Sequence, residues 1–494
     1  MNYVSTRGNE KMPRSSAYAI KTGLASDGGL FMPETIPSLS LSDIEKLKTK
    51  TYPERCAEIL SLFLTDYTYG ELLEDANAAY TEEKFAGGRA PVTKLSDETY
   101  MLELWHGPTS AFKDMALQIM PRLFTRALKK CGENRCALIL VATSGDTGKA
   151  ALEGYRDIDG VKIKVYYPVD GVSSVQKKQM QTQEGGNVSV TAIKGNFDDA
   201  QSGVKKIFSD RDFAKTLDES GVFLSSANSI NWGRLVPQIV YYVSAYCDLL
   251  SSGKITLGEK IDVCVPTGNF GNIFAAYIAK LMGLPIEKLV CASNMNNILT
   301  DFLRTGVYDK MRSFYATMSP SMDILISSNL ERLLYVTLGA SKTAMYMEKL
   351  NSDGRYKLSD EDFAKVTSSF VGYYTDEKTT QKTIKETFEN KNCLIDTHTA
   401  VAVSAAESYI NDYKAERKML VVSTASPFKF ANDVISSIRG YKEESDLTAP
   451  EALEKLTGVK MPTPLSSVLS KKIIHTEVIE SSQMKTNTLT FAKN

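Results

Sequence analysis

From residue 137 to residue 225, short apolar-rich segments alternate with polar-faced stretches of helical spacing. The runs 137–142, 161–167, 188–193 and 222–225 have the length and apolar content of buried parallel strands. The stretches 149–155, 174–183 and 198–209 between them predict helices. Such an alternation is a βαβ series of about the size of one domain. A second series follows: helix 235–250, strand 261–265, helix 273–282, strand 289–292, helix 400–412 and strand 420–423.

The chain before residue 95 reads as mostly helical. Ser42-Asp43-Ile44-Glu45 fits a capping box opening a helix over 42–48, and 57–64 is a second amphipathic stretch. Residues 300–390 are largely helical, in the manner of an insertion, with helices at 361–368 and 378–390. The last fifty residues are polar and hold Pro462 and Pro464, which predicts a tail packing on the surface. The expected class is α/β, with two domains built on parallel-rich sheets and a helical N-terminal segment. The expected division is 1–95 helical, 96–235 a small α/β domain, 236–440 a large α/β domain and 441–494 the tail.

Composition narrows the functional classes. The 494 residues hold 58 Lys and Arg against 59 Asp and Glu, a net charge of -1, so the broad basic footprint of a nucleic-acid binder is missing. Seven cysteines are sparse, and no Cys or His lies near Cys131 and Cys136 to complete a zinc site, so no metal is expected. No apolar stretch is long enough for a membrane span, and residues 1–8 lack a signal-peptide core, which predicts a cytoplasmic protein. With only His106, His398 and His475 present, a mechanism resting on several histidines is hard to build; His106 reads as a packing residue.

Three segments carry candidate chemistry. Thr143-Ser144-Gly145-Asp146-Thr147-Gly148-Lys149 follows a predicted strand and opens a helix, aiming backbone N–H groups and the positive helix end at an anion. It lacks P-loop spacing. Gly268-Asn269-Phe270-Gly271-Asn272 repeats the logic after the strand 261–265, without the spacing of a dinucleotide site. Each turn alone also reads as an ordinary strand–helix connection; two in one chain suggest a ligand with two anionic ends, or a ligand pair. The third segment, Gly107-Pro108-Thr109-Ser110-Ala111-Phe112-Lys113-Asp114, places Lys113 at the positive end of a helix predicted over 114–128. A cation is disfavoured there, which favours a neutral, nucleophilic amine. Without its context Lys113 would read as a surface lysine.

These segments, with Ser226-Ala227-Asn228-Ser229-Ile230-Asn231-Trp232-Gly233-Arg234 and Ser423-Thr424-Ala425-Ser426-Pro427-Phe428-Lys429-Phe430, closely resemble the threonine synthase family in order and spacing over about residues 1–440. The resemblance implies a pyridoxal phosphate enzyme of fold type II, the tryptophan synthase β-like fold. It implies that Lys113 holds the cofactor covalently and acts as the catalytic base. It further implies that Gly268, Asn269, Phe270, Gly271 and Asn272 cradle the cofactor phosphate, that Thr424 meets the ring nitrogen, and that Asp146 lies near the ring hydroxyl. Thr143, Ser144 and Thr147 are the residues expected at the substrate carboxylate. Asn228, Ser229, Asn231 and Arg234 are those expected at its phosphate, where an Arg fork suits a dianion.

The implied reaction is a carbon–oxygen lyase step of threonine biosynthesis, O-phospho-L-homoserine plus water to L-threonine plus phosphate, in a monomer or homodimer without nucleic-acid or membrane partners. Two readings stand beside it: another fold-type-II lyase, such as a threonine or serine dehydratase, and a non-catalytic paralogue that binds a phosphorylated ligand. A nucleotide-binding protein using the turn 144–149 is a more distant one.

Overall fold

The computed structural model describes residues 1–9, 12–170 and 172–493. Two parallel-rich sheets organise it. The larger has six strands in the spatial order Phe370–Tyr374, Ile286–Ser293, Ile261–Pro266, Met419–Ser423, Thr99–Glu103, Val92–Lys94. All neighbours are parallel except the last pair. The smaller has five parallel strands in the order Val478–Glu480, Val188–Lys194, Val161–Pro168, Cys136–Ala142, Val222–Ser225. The central strands carry apolar residues on both faces because helices cover both sides, as parallel sheets require.

The seven strands expected in the two series are all present, lengthened by zero to four residues. Four others carry weaker signals: Val92–Lys94, Thr99–Glu103, Phe370–Tyr374 and Val478–Glu480. They are edge strands or, for Thr99–Glu103, a short strand of mixed polarity. Thr99–Glu103 lies in the range 96–235 yet pairs with Met419–Ser423 of the large sheet. Phe370–Tyr374, in the range read as a helical insertion, forms that sheet's opposite edge. The tail does more than wrap the surface: Val478–Glu480 extends the small sheet, and the Tyr166 hydroxyl holds the tail helix Met484–Lys493 through the Met484 carbonyl at 3.0 Å.

Two local expectations are corrected. The helix Leu41–Leu47 is capped by Ser40, two residues before the expected cap, because Asp43 returns the hydrogen bond to the Ser40 N–H at 3.1 Å. The helix expected over 114–128 is two helices, Asp114–Leu117 and Met120–Lys130. Pro121 has no N–H to give the Leu117 carbonyl and its ring crowds that group, so the chain breaks at Gln118–Ile119 and restarts with Pro in its first turn.

The N-terminal helices pack on the long helix Trp232–Ser251, which is apolar all round and buried along almost its whole length. Trp232 anchors this contact between Tyr3 and Phe63, at ring distances of 5.7 and 5.8 Å. Arg55 reaches Asp248 at 2.6 Å.

Candidate functional site

The loops at the carboxyl ends of five strands converge, where ligands of parallel sheets bind. Ile261–Pro266 leads into the Gly268 turn, Cys136–Ala142 into the Thr143 turn, and Val222–Ser225 into Ser226–Asn231. Met419–Ser423 leads into Thr424, and Thr99–Glu103 into the Lys113 turn. The last two are laced together: the Phe112 N–H donates to the Thr424 carbonyl at 2.8 Å, and the Ser426 N–H to the Ser110 carbonyl at 3.1 Å. Lys113 is thereby fixed beside Thr424, whose side chain is buried and has no hydrogen-bond partner among the described residues.

Lys113 Nζ lies 3.6 Å from Asp146 Oδ2 and 3.3 Å from Ser321 Oγ. Burial lowers its pKa to about 8, with Lys429 and Arg234 adding repulsion and Asp146 opposing them. Asp146 is the centre of the cluster. Its Oδ1 pairs with Lys429 Nζ at 2.6 Å and accepts from Gln176 Nε2 at 2.7 Å. Burial alone would raise its carboxyl; Lys429 and Lys113 hold it well below the usual carboxylate range. Behind the turn, Asp114 accepts from the Thr109 N–H and hydroxyl at 2.8 and 2.7 Å, and burial raises its pKa to about 6.

An acylating reagent tests the Lys113 amine directly. Below its midpoint the group is protonated and inert, above it neutral and nucleophilic, so labelling of Lys113 in the folded protein is expected to rise through about pH 8. An exposed lysine follows about two pH units higher. Peptide mass spectrometry over a pH series reads it; a midpoint near that of exposed lysines contradicts the site.

The Gly268 turn is an open cradle of donors. None of the N–H groups of Gly268, Asn269, Phe270, Gly271 and Asn272 has an acceptor among the described residues. The carbonyls turn the other way: Gly268 O accepts from Ser327 Oγ at 2.7 Å, and Asn269 O from the Asn329 N–H at 3.1 Å. Phe270 takes a left-handed φ of 61° to make this turn, and the helix Gly271–Met282 adds its positive end. Asn272 is held by Tyr241 and Tyr242 hydroxyls at 2.5 and 2.6 Å, while its Nδ2 is buried without an acceptor. A Cβ on Gly268 would stand 2.5 Å from the Ser321 carbonyl oxygen. Gly268→Ala is therefore expected to lower stability by about 1–3 kcal/mol, read as a fall in the denaturant midpoint at constant slope.

The Thr143 turn is a second cradle. Thr143 Oγ1 accepts from the Gly145 and Gly148 N–H groups at 2.9 and 3.0 Å, so this hydroxyl braces the loop from inside. The Ser144 and Thr147 hydroxyls and the N–H groups of Ser144, Asp146 and Thr147 have no acceptor among the described residues. Gly145, at φ 146°, lies where a Cβ would meet the Gln176 carboxamide at 2.5 Å.

On the third side, Arg234 is buried, with Nη1 on the Ala227 carbonyl at 2.6 Å and Nε unpartnered; burial lowers its pKa to about 10. Ser229 Oγ accepts from Asn329 Nδ2 at 3.2 Å, which ties this segment to the Gly268 cradle. The Asn231 carboxamide is engaged on all sides, donating to the Ile20 and Ser226 carbonyls at 2.9 and 3.2 Å and accepting from the Gly233 N–H at 2.9 Å. It positions the segment and has no free donor. Asn228 accepts the Asn231 N–H on its carbonyl at 3.0 Å, and its carboxamide is unengaged among the described residues.

Ser321, His398, Lys429 and Gln176 belong to the cluster and were not singled out from sequence. The Ser321 N–H donates to His398 Nε2 at 3.1 Å, and His398 Nδ1 meets Asp396 at 2.7 Å. Lys429 lay inside a motif string, where its spacing of five from Thr424 was the available signal. His106, by contrast, stacks on Trp105 and pairs with Glu103 at 2.7 Å, a packing role. All seven cysteines are free, and no group of three metal-ligating side chains occurs among the described residues.

Comparison with known proteins places this site in context. Three family models match in sequence order: "Threonine synthase N terminus" over residues 2–80, "Pyridoxal-phosphate dependent enzyme" over 86–425 and "Threonine synthase, C-terminal" over 399–470. The chain is 40% identical to human "Threonine synthase-like 1" over 94% of its own length, but spans only 63% of that protein. It is 38% identical to "Threonine synthase" of Pseudomonas aeruginosa, covering 88% of this chain and 90% of that one. A solved structure, "PLP bound Threonine synthase from Brucella melitensis", superposes with a TM-score of 0.88 at 34% identity over 100% of both chains.

Proposed function

The chain belongs to the threonine synthase family of pyridoxal-phosphate-dependent enzymes of fold type II, and from that premise we propose that it converts O-phospho-L-homoserine and water to L-threonine and phosphate. The observation that carries the reading is the convergence of two open N–H cradles and a buried arginine on one buried lysine of lowered pKa.

The residues fit the cofactor. The unpaired N–H groups of Gly268 to Asn272 suit its phosphate, the unpartnered Thr424 hydroxyl its ring nitrogen, Asp146 its ring hydroxyl and Lys113 its aldehyde carbon. When bound, pyridoxal phosphate supplies the electron sink that makes the carbons next to the amino group acidic.

The chain's own groups do the rest. The Thr147 and Ser144 hydroxyls and the adjacent N–H groups bind the substrate carboxylate, with Thr143 holding their loop in shape. Arg234, Ser229 and Asn228 receive the γ-phosphate, and Asn231 positions them. Lys113 Nζ is the amine placed to take the α proton and, once it has passed that proton on, a β proton. Asp146 stays ionised and steadies that amine in its charged form. The proposed assembly is a monomer or a homodimer. The proposed location is the cytoplasm; no described helix is long and apolar enough to cross a membrane.

The test is to supply the cofactor-loaded protein with O-phospho-L-homoserine and measure phosphate and threonine together. Equal amounts of both are expected. Ammonia from serine or threonine instead would make it a dehydratase, and visible cofactor absorbance without any product would make it a non-catalytic paralogue.

A further inference from the structure

Behind the Lys113 turn lies a cavity of about 250 Å³, lined by Lys84, Pro108, Gln118, Arg122, Glu153 and residues of the loop after them. It is not the site described above. Glu153 and Gly154 line it near the C-terminal end of the helix Asp146–Tyr155, whose first residue is in that site. Seven residues of helix separate Asp146 from Glu153, about 10 Å at 1.5 Å per residue.

Its charges are unbalanced. Glu153 is committed to Lys149 at 2.9 Å, and Arg156 faces Asp157 at 3.3 Å and Glu184 at 3.7 Å. Lys84 and Arg122 make no ion pair or side-chain hydrogen bond with any described residue. Both are partly buried; burial and then Arg122 lower the Lys84 pKa, against the pull of the Glu153, Glu83 and Asp114 carboxylates, none of which is within ion-pair distance of it. Arg122 also sits in the first turn of the helix Met120–Lys130, where the helix dipole opposes a cation. Gln118, buried in the same wall, has an Nε2 with no acceptor. The larger groove of about 960 Å³ around Tyr373 and Tyr409 is different: there Arg417 is paired with Asp262 at 3.1 Å, Lys260 with Glu287 at 2.8 Å, and Arg304 donates to the Gly372 carbonyl at 3.0 Å.

We propose that the cavity at Lys84, Gln118 and Arg122 binds a small oxyanion of the phosphate class, at a site separate from that of Lys113. A dianion there satisfies the Arg122 fork, the Lys84 ammonium and the unpaired Gln118 Nε2 at once. Its volume falls below the roughly 300–1,000 Å³ of sites for drug-sized ligands, so the ligand is free phosphate or the head of a small phosphomonoester. Pro108 joins it to the Lys113 turn, and the helix Asp146–Tyr155 joins it to Asp146, so occupancy is positioned to be felt in the reacting site.

Equilibrium dialysis of the cofactor-loaded protein against labelled inorganic phosphate tests this. Wild type is expected to bind one more phosphate per chain than Lys84→Met/Arg122→Met, with Arg122→Lys retaining it. Lys84→Gln alone, a milder change that serves if the double variant does not fold, is expected to weaken that phosphate at least tenfold. Displacement of the label by glycerol phosphate marks a site for esterified phosphate, and displacement by phosphate alone a site for the free ion. Equal stoichiometry and affinity in wild type and in these variants overturns the proposal, whatever the protein does with O-phospho-L-homoserine.

Discussion

Lys113→Ala is expected to lower the rate of phosphate release from O-phospho-L-homoserine by at least about a thousandfold, within the 10²–10⁴ range for losing a positioned base and with a covalent anchor lost besides. No neighbour can replace it. The Lys429 amine is fully buried and spent on Asp146 and, at 2.9 Å, on the Thr109 carbonyl. His398 is held between the Ser321 N–H and Asp396. The visible absorbance of bound cofactor should disappear with the rate. Stability should not fall. The Lys113 pKa is lowered from 10.5 to about 8 in the folded chain. The folded state therefore binds fewer protons than the unfolded state between those values, so stability rises with pH through that window and the buried cation is a liability at pH 7. In the cofactor-free protein at pH 7, the variant should melt at or above wild type. Retained phosphate release, within tenfold of wild type, would remove Lys113 from the reaction.

How far the fold was readable depended on where apolar pattern and topology coincide. The strands Cys136–Ala142, Val161–Pro168 and Ile261–Pro266 are almost wholly buried, so apolar content marks each of them, unbroken in the first and interrupted by Lys162 and Lys164 in the second and by Asp262 in the third. Val478–Glu480 is largely exposed and has only two apolar residues, and Phe370–Tyr374 is a short apolar segment between the polar helices Asp360–Thr367 and Glu377–Lys391, whose helical pattern masks it. Their identity as strands is conferred by the neighbour they pair with, which no local window contains. The same holds for Thr99–Glu103: its sequence lies beside the small domain, yet its register is set by Met419–Ser423, some 320 residues away in the chain.

The site divides in a similar way. The Gly268 and Thr143 turns were legible because both need glycine at close approaches, against the Ser321 carbonyl and the Gln176 carboxamide. What their partners are was not legible. Ser321 comes from the range read as an insertion, and Gln176 from a helix with no motif. Thr143 and Asn231 are expected at the substrate; Thr143 Oγ1 accepts from two N–H groups of its own loop, and the Asn231 carboxamide is engaged by Ile20, Ser226 and Gly233. A polar residue in a motif can bind a ligand or build the loop that does, and only the direction of its hydrogen bonds separates the two.

Lys429→Met is the second substitution with a large expected effect, and it tests whether Asp146 is the pivot of the site. Wild-type Asp146 is a buried carboxylate whose ionised form depends on Lys429 at 2.6 Å more than on Lys113 at 3.6 Å. Removing one partner of a buried pair leaves the other uncompensated, a loss of about 3–5 kcal/mol. Asp146 then has Lys113 as its remaining cation, and the repulsion that Lys429 exerts on Lys113 is gone. Both changes favour the charged Lys113 amine, so its midpoint in the acylation series should move above about 8. Phosphate release at neutral pH should fall by about ten- to a hundredfold, consistent with one misplaced member of a base-positioning network. Lys429→Gln keeps a donor for the Thr109 carbonyl and loses only the charge, so it should recover part of the stability and none of the midpoint. Asp146→Asn/Lys429→Met removes the orphaned charge and should be more stable than Lys429→Met alone, while phosphate release stays low. If Lys429→Met instead melts with wild type and leaves the Lys113 midpoint in place, Asp146 is held ionised by Lys113 and by the hydrogen bonds it accepts from Gln176 at 2.7 Å and Ser321 at 3.5 Å, and Lys429 is a packing residue.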